Sequence, residues 1–300
     1  MLEALGQDAE ISQYIRHFWI STQSPSRDKE LYRKIKDEYK DNSEELLAFS
    51  KQLSKEAELY SSIIDPQLDS HAKGIYQLIC DINKLRIRQC YPLILAALAQ
   101  KVPTKDLRNL LHKIVTVALR RGITDKNPNE VETLFATSAS KIRTEGVKAL
   151  GSIIENLDSF SSTDKEIRGF LEENRVSEIF ARFILEHLER SKSTDEKEIF
   201  RPTLEHILPQ SPQNMQDWNI TKAEHDTYAY KIGNLTLVGK TFNSSMSNKP
   251  FEQKRIELLK SDIKIAKEIA EEYSSWGKSQ IDERGSEILE FVFKQWPKTS

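Results

Sequence analysis

Cysteine is scarce: Cys80 and Cys90 are the two in 300 residues. They lack CxxC spacing, so they build no zinc site by themselves, and their number argues against a disulfide framework. We read them as reduced thiols of a cytoplasmic protein. Glycine and proline are also few, ten of each, which excludes a collagenous or low-complexity chain. The longest clean apolar stretch, Tyr91 to Ala99, falls far short of the roughly 20 residues a bilayer span needs. Glu3, Asp8 and Glu10 stand where a basic leader would begin, so no signal peptide is expected. Neither charge dominates. The 44 basic and 46 acidic residues leave a net −2, which excludes a globally basic histone-like protein and a polyacidic tail.

What remains is rich in helix formers, and the first two-thirds reads as consecutive helices. Ile11, Tyr14, Ile15, Phe18 and Trp19 recur at helical spacing as one apolar stripe. Further helices are expected over 28–39, from a cap at Asn42 to about Ile64, and over 70–86, 91–101, 104–121, 129–142, 145–157, 163–173 and 177–190, with Thr104 and Ser162 as N-caps and Gly122 as a C-cap. His187 borders the apolar face of the 177–190 helix and is read as structural, and His225 as a loop histidine. The polar run from Ser191 to Lys197 is a candidate linker or hairpin turn. Beyond it the pattern becomes strand, long loop, strand, helix. Ile232 to Val238 is the clearest strand, and a long helix is expected from Pro250 to about Tyr273.

Chemistry concentrates in that mixed segment. Glu205 and His206 sit together at the end of a strand, Pro209-Gln210-Ser211 follows, and Asn234 and Asn243 flank the second strand. Neighbouring strand residues face opposite sides, so Glu205 and His206 converge only where the strand ends and bends. A lone histidine can serve as general base toward water. A carboxylate with a carboxamide oxygen makes a hard-oxygen site of the kind Mg²⁺ accepts while keeping several waters. Together these suit metal-assisted phosphodiester hydrolysis.

Leu204-Glu-His-Ile-Leu-Pro-Gln-Ser211, then Gly233-Asn-Leu-Thr-Leu237, Asn243, Ser247-Asn-Lys-Pro-Phe251 and Lys254 resemble the HNH-like (His-Me finger, ββα-metal) nuclease domain at the C-terminus of GmrSD-type restriction proteins. The order is also similar to the HNH domain of RNA-guided CRISPR nucleases. The region from His17-Phe18-Trp19 through Leu31-Tyr32 looks similar to the preceding helical part of the GmrSD-type proteins. The resemblance makes His206 the general base and Glu205 and Asn243 the ligands of Mg²⁺ or Mn²⁺. It makes Asn234 the brace of the base-carrying loop. Glu stands at 205 where the common pattern has Asp, and Asn at 243 where it has His; both favour Mg²⁺ or Mn²⁺ over Zn²⁺.

The resulting expectation is a mainly α protein, a helical bundle with an embedded ββα-metal nuclease module. Its parts are a helical domain over 1–190, the module over 191–260, and C-terminal helices over 261–300 packing back on the helical domain. The expected activity is metal-dependent DNA cleavage with nicking as the elementary event. The resemblance implies a bacterial anti-phage or modified-DNA restriction role, with a separate nucleotide-dependent N-terminal domain as partner and no membrane. Two rivals stand beside it: a non-cleaving HNH-like scaffold that binds DNA or a partner, and a regulatory fragment inactive without the nucleotide-dependent domain. RNA remains open as a substrate. For DNA contact the candidates are Lys254 and Arg255 on the closing helix and Arg120 and Arg121. The last two belong to the stretch 84–126, where ten basic residues face only Asp106 and Asp125.

Overall fold

A computed structural model describes residues 8–23, 27–67, 71–193, 202–218, 220–240 and 246–299. The chain divides into two compact units. One holds Met1–Arg121, Lys126–Ser161 and Thr299–Ser300; the other holds Gly122–Asp125 and Ser162–Lys298. Among the described residues no helix is long and apolar enough to cross a membrane.

The first unit is helical: α1 (Asp8–Thr22), α2 (Asp28–Tyr39), α3 (Ser43–Ile64), α4 (Lys73–Lys84), α5 (Tyr91–Ala99), most of α6 (Thr104–Ile123), α7 (Glu132–Glu145) and α8 (Leu150–Ser159). The α5 sequence YPLILAALA is apolar all round, so it has no solvent face to offer. It lies at the centre, buried from Tyr91 through Ala97 and packed on α1, α3 and α7. The stripe read on α1 is the core face: Tyr14, Phe18 and Trp19 are buried. Asn42 caps α3 by accepting from the Glu45 N–H at 3.1 Å. Arg143 on α7 grips Glu56 on α3 through both carboxylate oxygens, at 2.8 and 2.6 Å.

The second unit contains α9 (Asp164–Glu173), α10 (Glu178–Lys192), strand β1 (Thr203–His206), α11 (Lys222–Tyr228), strand β2 (Leu235–Val238), α12 (Phe251–Leu258), α13 (Lys264–Glu272) and α14 (Lys278–Gln295). The strands form a two-stranded antiparallel sheet in which Glu205 pairs with Thr236 and His206 with Leu235. Helices α10 and α13 pack on β2, and α14 packs on the turn before it.

Five local readings change. Thr104 is the first residue of α6 rather than its cap, and the Pro103 carbonyl accepts from the Leu107 N–H at 2.9 Å. The cap of α9 is Thr163 rather than Ser162, in a reciprocal capping box with Glu166. Gly122 lies inside α6 rather than ending it; a β-carbon there would sit 1.9 Å from the Phe180 ring. The strand expected from Ile232 starts at Leu235, because Ile232–Asn234 form a 3₁₀ turn. The long helix expected from Pro250 is broken between α12 and α13. There the Ser261 hydroxyl accepts from the Ile263 N–H at 3.1 Å, and the Glu189 carboxylate accepts from the N–H groups of Lys264 and Ile265 at 3.0 and 2.9 Å. A carboxylate from another helix therefore supplies a new helix start.

Candidate active site

The backbone ladder between β1 and β2 runs past the end of β1. The Ile207 N–H donates to the Asn234 carbonyl at 3.0 Å. From there the chain turns through Leu208 and Pro209, and the side chain of Asn234 takes over from the ladder. Its Oδ1 accepts from the Leu208 N–H at 2.7 Å and from Trp276 Nε1 at 3.0 Å. Its Nδ2 donates to the carbonyls of Leu208 and Ala229, both at 2.9 Å. The carboxamide is fully buried and makes four hydrogen bonds, its full capacity. It thus ties the loop after β1, the end of α11 and the α13–α14 connection to one point.

Two further groups fix the same corner. His225, on α11, is buried, and its Nε2 lies 2.8 Å from the Pro209 carbonyl. A carbonyl only accepts, so that nitrogen carries the proton. Arg284 on α14 donates through Nη1 to the carbonyls of Gly233 and Leu235, each at 2.7 Å. Gly233 is required there, because a β-carbon would meet the Ile281 carbonyl oxygen at 1.9 Å. Trp218 is buried, and His187 packs against the rings of Phe183 and Trp296.

Glu205 and His206 lie where β1 gives way to this turn. Glu205 is buried and His206 half-buried. Lys254 on α12 bridges them: its Nζ donates to Glu205 Oε1 at 2.6 Å and to the His206 carbonyl at 2.7 Å. Burial pushes the Glu205 carboxyl above its usual range against the pull of Lys254. Burial likewise pushes the Lys254 ammonium down against the pull of Glu205. The His206 imidazole is lowered, first by burial and then by the Lys254 charge, with Glu178 opposing. It is therefore neutral at neutral pH. Gln210 Nε2 donates to His206 Nε2 at 3.2 Å, which leaves that nitrogen as the acceptor of the ring. Tyr230 meets the imidazole at a ring separation of 5.7 Å, nearly perpendicular.

The sequence-derived candidates therefore separate. Glu205, His206 and Asn234 come together at the end of β1. Asn243 lies outside the described residues. Lys254 reaches the same place, fully buried and bonded to Glu205. Arg255 is half-buried, with Nε donating to the Ala270 carbonyl at 2.7 Å. Arg120 and Arg121 are buried as well, and Arg121 is committed to Glu130 and to the carbonyls of Asn127 and Phe160. Within the basic stretch 84–126, Lys113 is likewise buried, against Asp158. Sequence reasoning missed His225, Trp276 and Arg284, because each acts on the site through the fold rather than through local spacing.

Residues 160–291 match the family described as GmrSD restriction endonucleases, C-terminal domain. No curated protein matches the chain. The part of the chain that carries the site thus resembles a restriction-endonuclease domain, and the match points to a nuclease.

Proposed function

We propose that this chain is a metal-dependent DNA endonuclease of the HNH, or His-Me finger, kind. The observation that carries the reading is a half-buried His206 that ends β1, next in the chain to the buried Glu205 and ahead of a turn pinned by Asn234. Gln210 holds the ring until water replaces it at Nε2, and His206 Nε2 then takes a proton from that water as the water oxygen attacks phosphorus. The bond from phosphorus to the departing strand oxygen breaks in line. Gln210 orients the ring, and the Lys254 link to the His206 carbonyl holds the backbone beneath it.

The donor chemistry suits a hard divalent cation. Glu205 offers a carboxylate, Asn243 is the second oxygen donor of the proposal, and among the described residues no three His, Cys, Asp or Glu side chains gather into a cage. Few protein oxygens and many waters is the Mg²⁺ pattern rather than the Zn²⁺ one. Bound there, Mg²⁺ or Mn²⁺ would neutralise charge on the phosphate. Glu205 would then be shared with the Lys254 ammonium.

A supercoiled-plasmid assay tests this directly. Purified protein with Mg²⁺ or Mn²⁺ should convert supercoiled to nicked DNA. EDTA and His206→Ala should each abolish the conversion. Cleavage of a matched RNA duplex in preference to DNA would reassign the substrate. A second reading rests on the closed Glu205–Lys254 pair. The site stays silent until a separate nucleotide-dependent domain engages it, in a restriction system directed at phage or modified DNA. It predicts no nicking by the folded chain alone, and nicking once that domain and nucleotide are added.

A further inference from the structure

We propose that Arg175 is the substrate-phosphate anchor of this site, a guanidinium stacked on Tyr230 and supplied from outside the β1–β2–α12 segment. The proposal rests on the endonuclease reading above. A phosphodiester that reaches His206 brings negative charge to a place that already holds Glu178, on the first turn of α10, and the internally compensated Glu205–Lys254 pair. A side-chain cation would share that charge with the divalent ion proposed above. Most of the cations nearby are committed elsewhere. Lys254 is buried, Arg182 donates to the Pro202 carbonyl at 2.5 Å, Lys231 pairs with Asp282 at 2.8 Å, and Arg284 is buried on backbone carbonyls.

Arg175 differs. It lies in the four-residue connection 174–177 between α9 and α10, which the buried Val176 anchors. Its side chain is exposed, and its guanidinium carbon stands 5.3 Å from the centre of the Tyr230 ring. The same ring meets His206 at 5.7 Å. Tyr230 in turn follows Ala229, whose carbonyl accepts from Asn234. The platform under Arg175 is therefore held by the same clamp that holds the His206 turn. A guanidinium lying on an aromatic face keeps its N–H edge free, and that planar edge matches two non-bridging phosphate oxygens. Stacking also orders the long side chain before substrate arrives. Lysine would supply the charge without the fork.

The test separates this claim from the reading it depends on. Binding of a fluorescein-labelled DNA duplex is measured by anisotropy across a salt series, in a His206→Ala background that cannot cut. Arg175→Gln should reduce the slope of log affinity against log salt by about one, the loss of one phosphate contact. In the cleaving background the same change should lower kcat by about 100-fold, as removal of one donor to the reacting group does, with an unchanged melting temperature. Arg175→Lys should keep the salt slope and lose most of the rate. Tyr230→Leu should do the same by unseating the fork. If the parent nicks plasmid and Arg175→Gln nicks as fast with the same salt slope, Arg175 is not the anchor and the endonuclease reading survives. If the parent neither binds the duplex nor nicks it with either metal, both claims fall.

Discussion

Asn234 carries more than a turn asparagine would. Replacing it with alanine leaves the Leu208 N–H, the Leu208 and Ala229 carbonyls and the Trp276 indole N–H without their partner inside the fold. Buried groups stripped of partners cost about 1–3 kcal/mol each, partly recovered by relaxation. Asn234→Ala should therefore lower stability by about 3 kcal/mol or more in urea unfolding, and nicking should vanish with it. A variant that keeps its urea midpoint would show that the clamp is not structural. Lys254 makes the complementary case. Lys254→Met leaves the Glu205 carboxylate buried and uncompensated, a class of change that costs about 3–5 kcal/mol. Adding Glu205→Gln removes the charge as well, so the double variant should regain most of that loss. Equal losses in single and double variants would assign the effect to packing instead. Of these residues, Glu205, His206 and Asn234 stood out in the sequence because they fall in the motifs that carry the resemblance to the HNH-like domain. Lys254 was visible as a charge but not as a buried one. Nothing in its neighbourhood announces that α12 turns it toward β1, while Glu252 and Ile256 on the same helix face solvent.

Elements were legible wherever a helical stripe is continuous, and illegible where another element decides the boundary. The α1 stripe and the Asn42 cap need only local residues, and both stand as read. The break between α12 and α13 is written instead in Glu189, on α10, whose carboxylate caps a helix that begins 75 residues later. The late start of β2 is decided by α14, because Gly233 lies against its backbone. This contact supports a prediction at the same scale. Gly233→Ala places a methyl group inside the Ile281 carbonyl, so α14 has to move off the turn that holds Asn234. Overpacking of this kind costs about 1–3 kcal/mol. Here it should also dislodge the Arg284 links to the Gly233 and Leu235 carbonyls. Thermal unfolding and plasmid nicking should both report it. A Gly233→Ala protein with parental melting and parental nicking would mean that α14 does not set the register of the site.

At the scale of the molecule, the mainly α composition and, among the described residues, the one small sheet were legible from low glycine and proline and from one switch of periodicity. The partition into the two units depends on which helices touch. The compact unit that holds His206 takes in Gly122–Asp125 and the run from Ser162 to Lys298, so it includes α9 and α10, ahead of the polar run at 191. Hence Arg175 and Glu178 share a unit with the sheet. The other unit holds its own titrating device. His17 is buried, its Nδ1 is 2.8 Å from the Tyr60 hydroxyl, and its pKa is pushed down to about 3, by burial first and then by Arg16 and Arg88. Unfolded, the same imidazole titrates near pH 6.5. Above that value both states are neutral and His17 contributes no pH dependence. Below it the unfolded chain takes up a proton that the folded chain refuses, so stability falls as pH drops toward 3. The slope approaches about 1.4 kcal/mol per pH unit, and the loss between pH 7 and pH 5 is about 2 kcal/mol. His17→Gln removes the titrating group. Urea midpoints measured at both pH values should therefore fall more steeply for the parent than for the variant, by that amount. Parallel falls would mean that His17 is protonated within the fold. Its bond to Tyr60 would then have to be reassigned, with the imidazole as donor and the hydroxyl oxygen as acceptor.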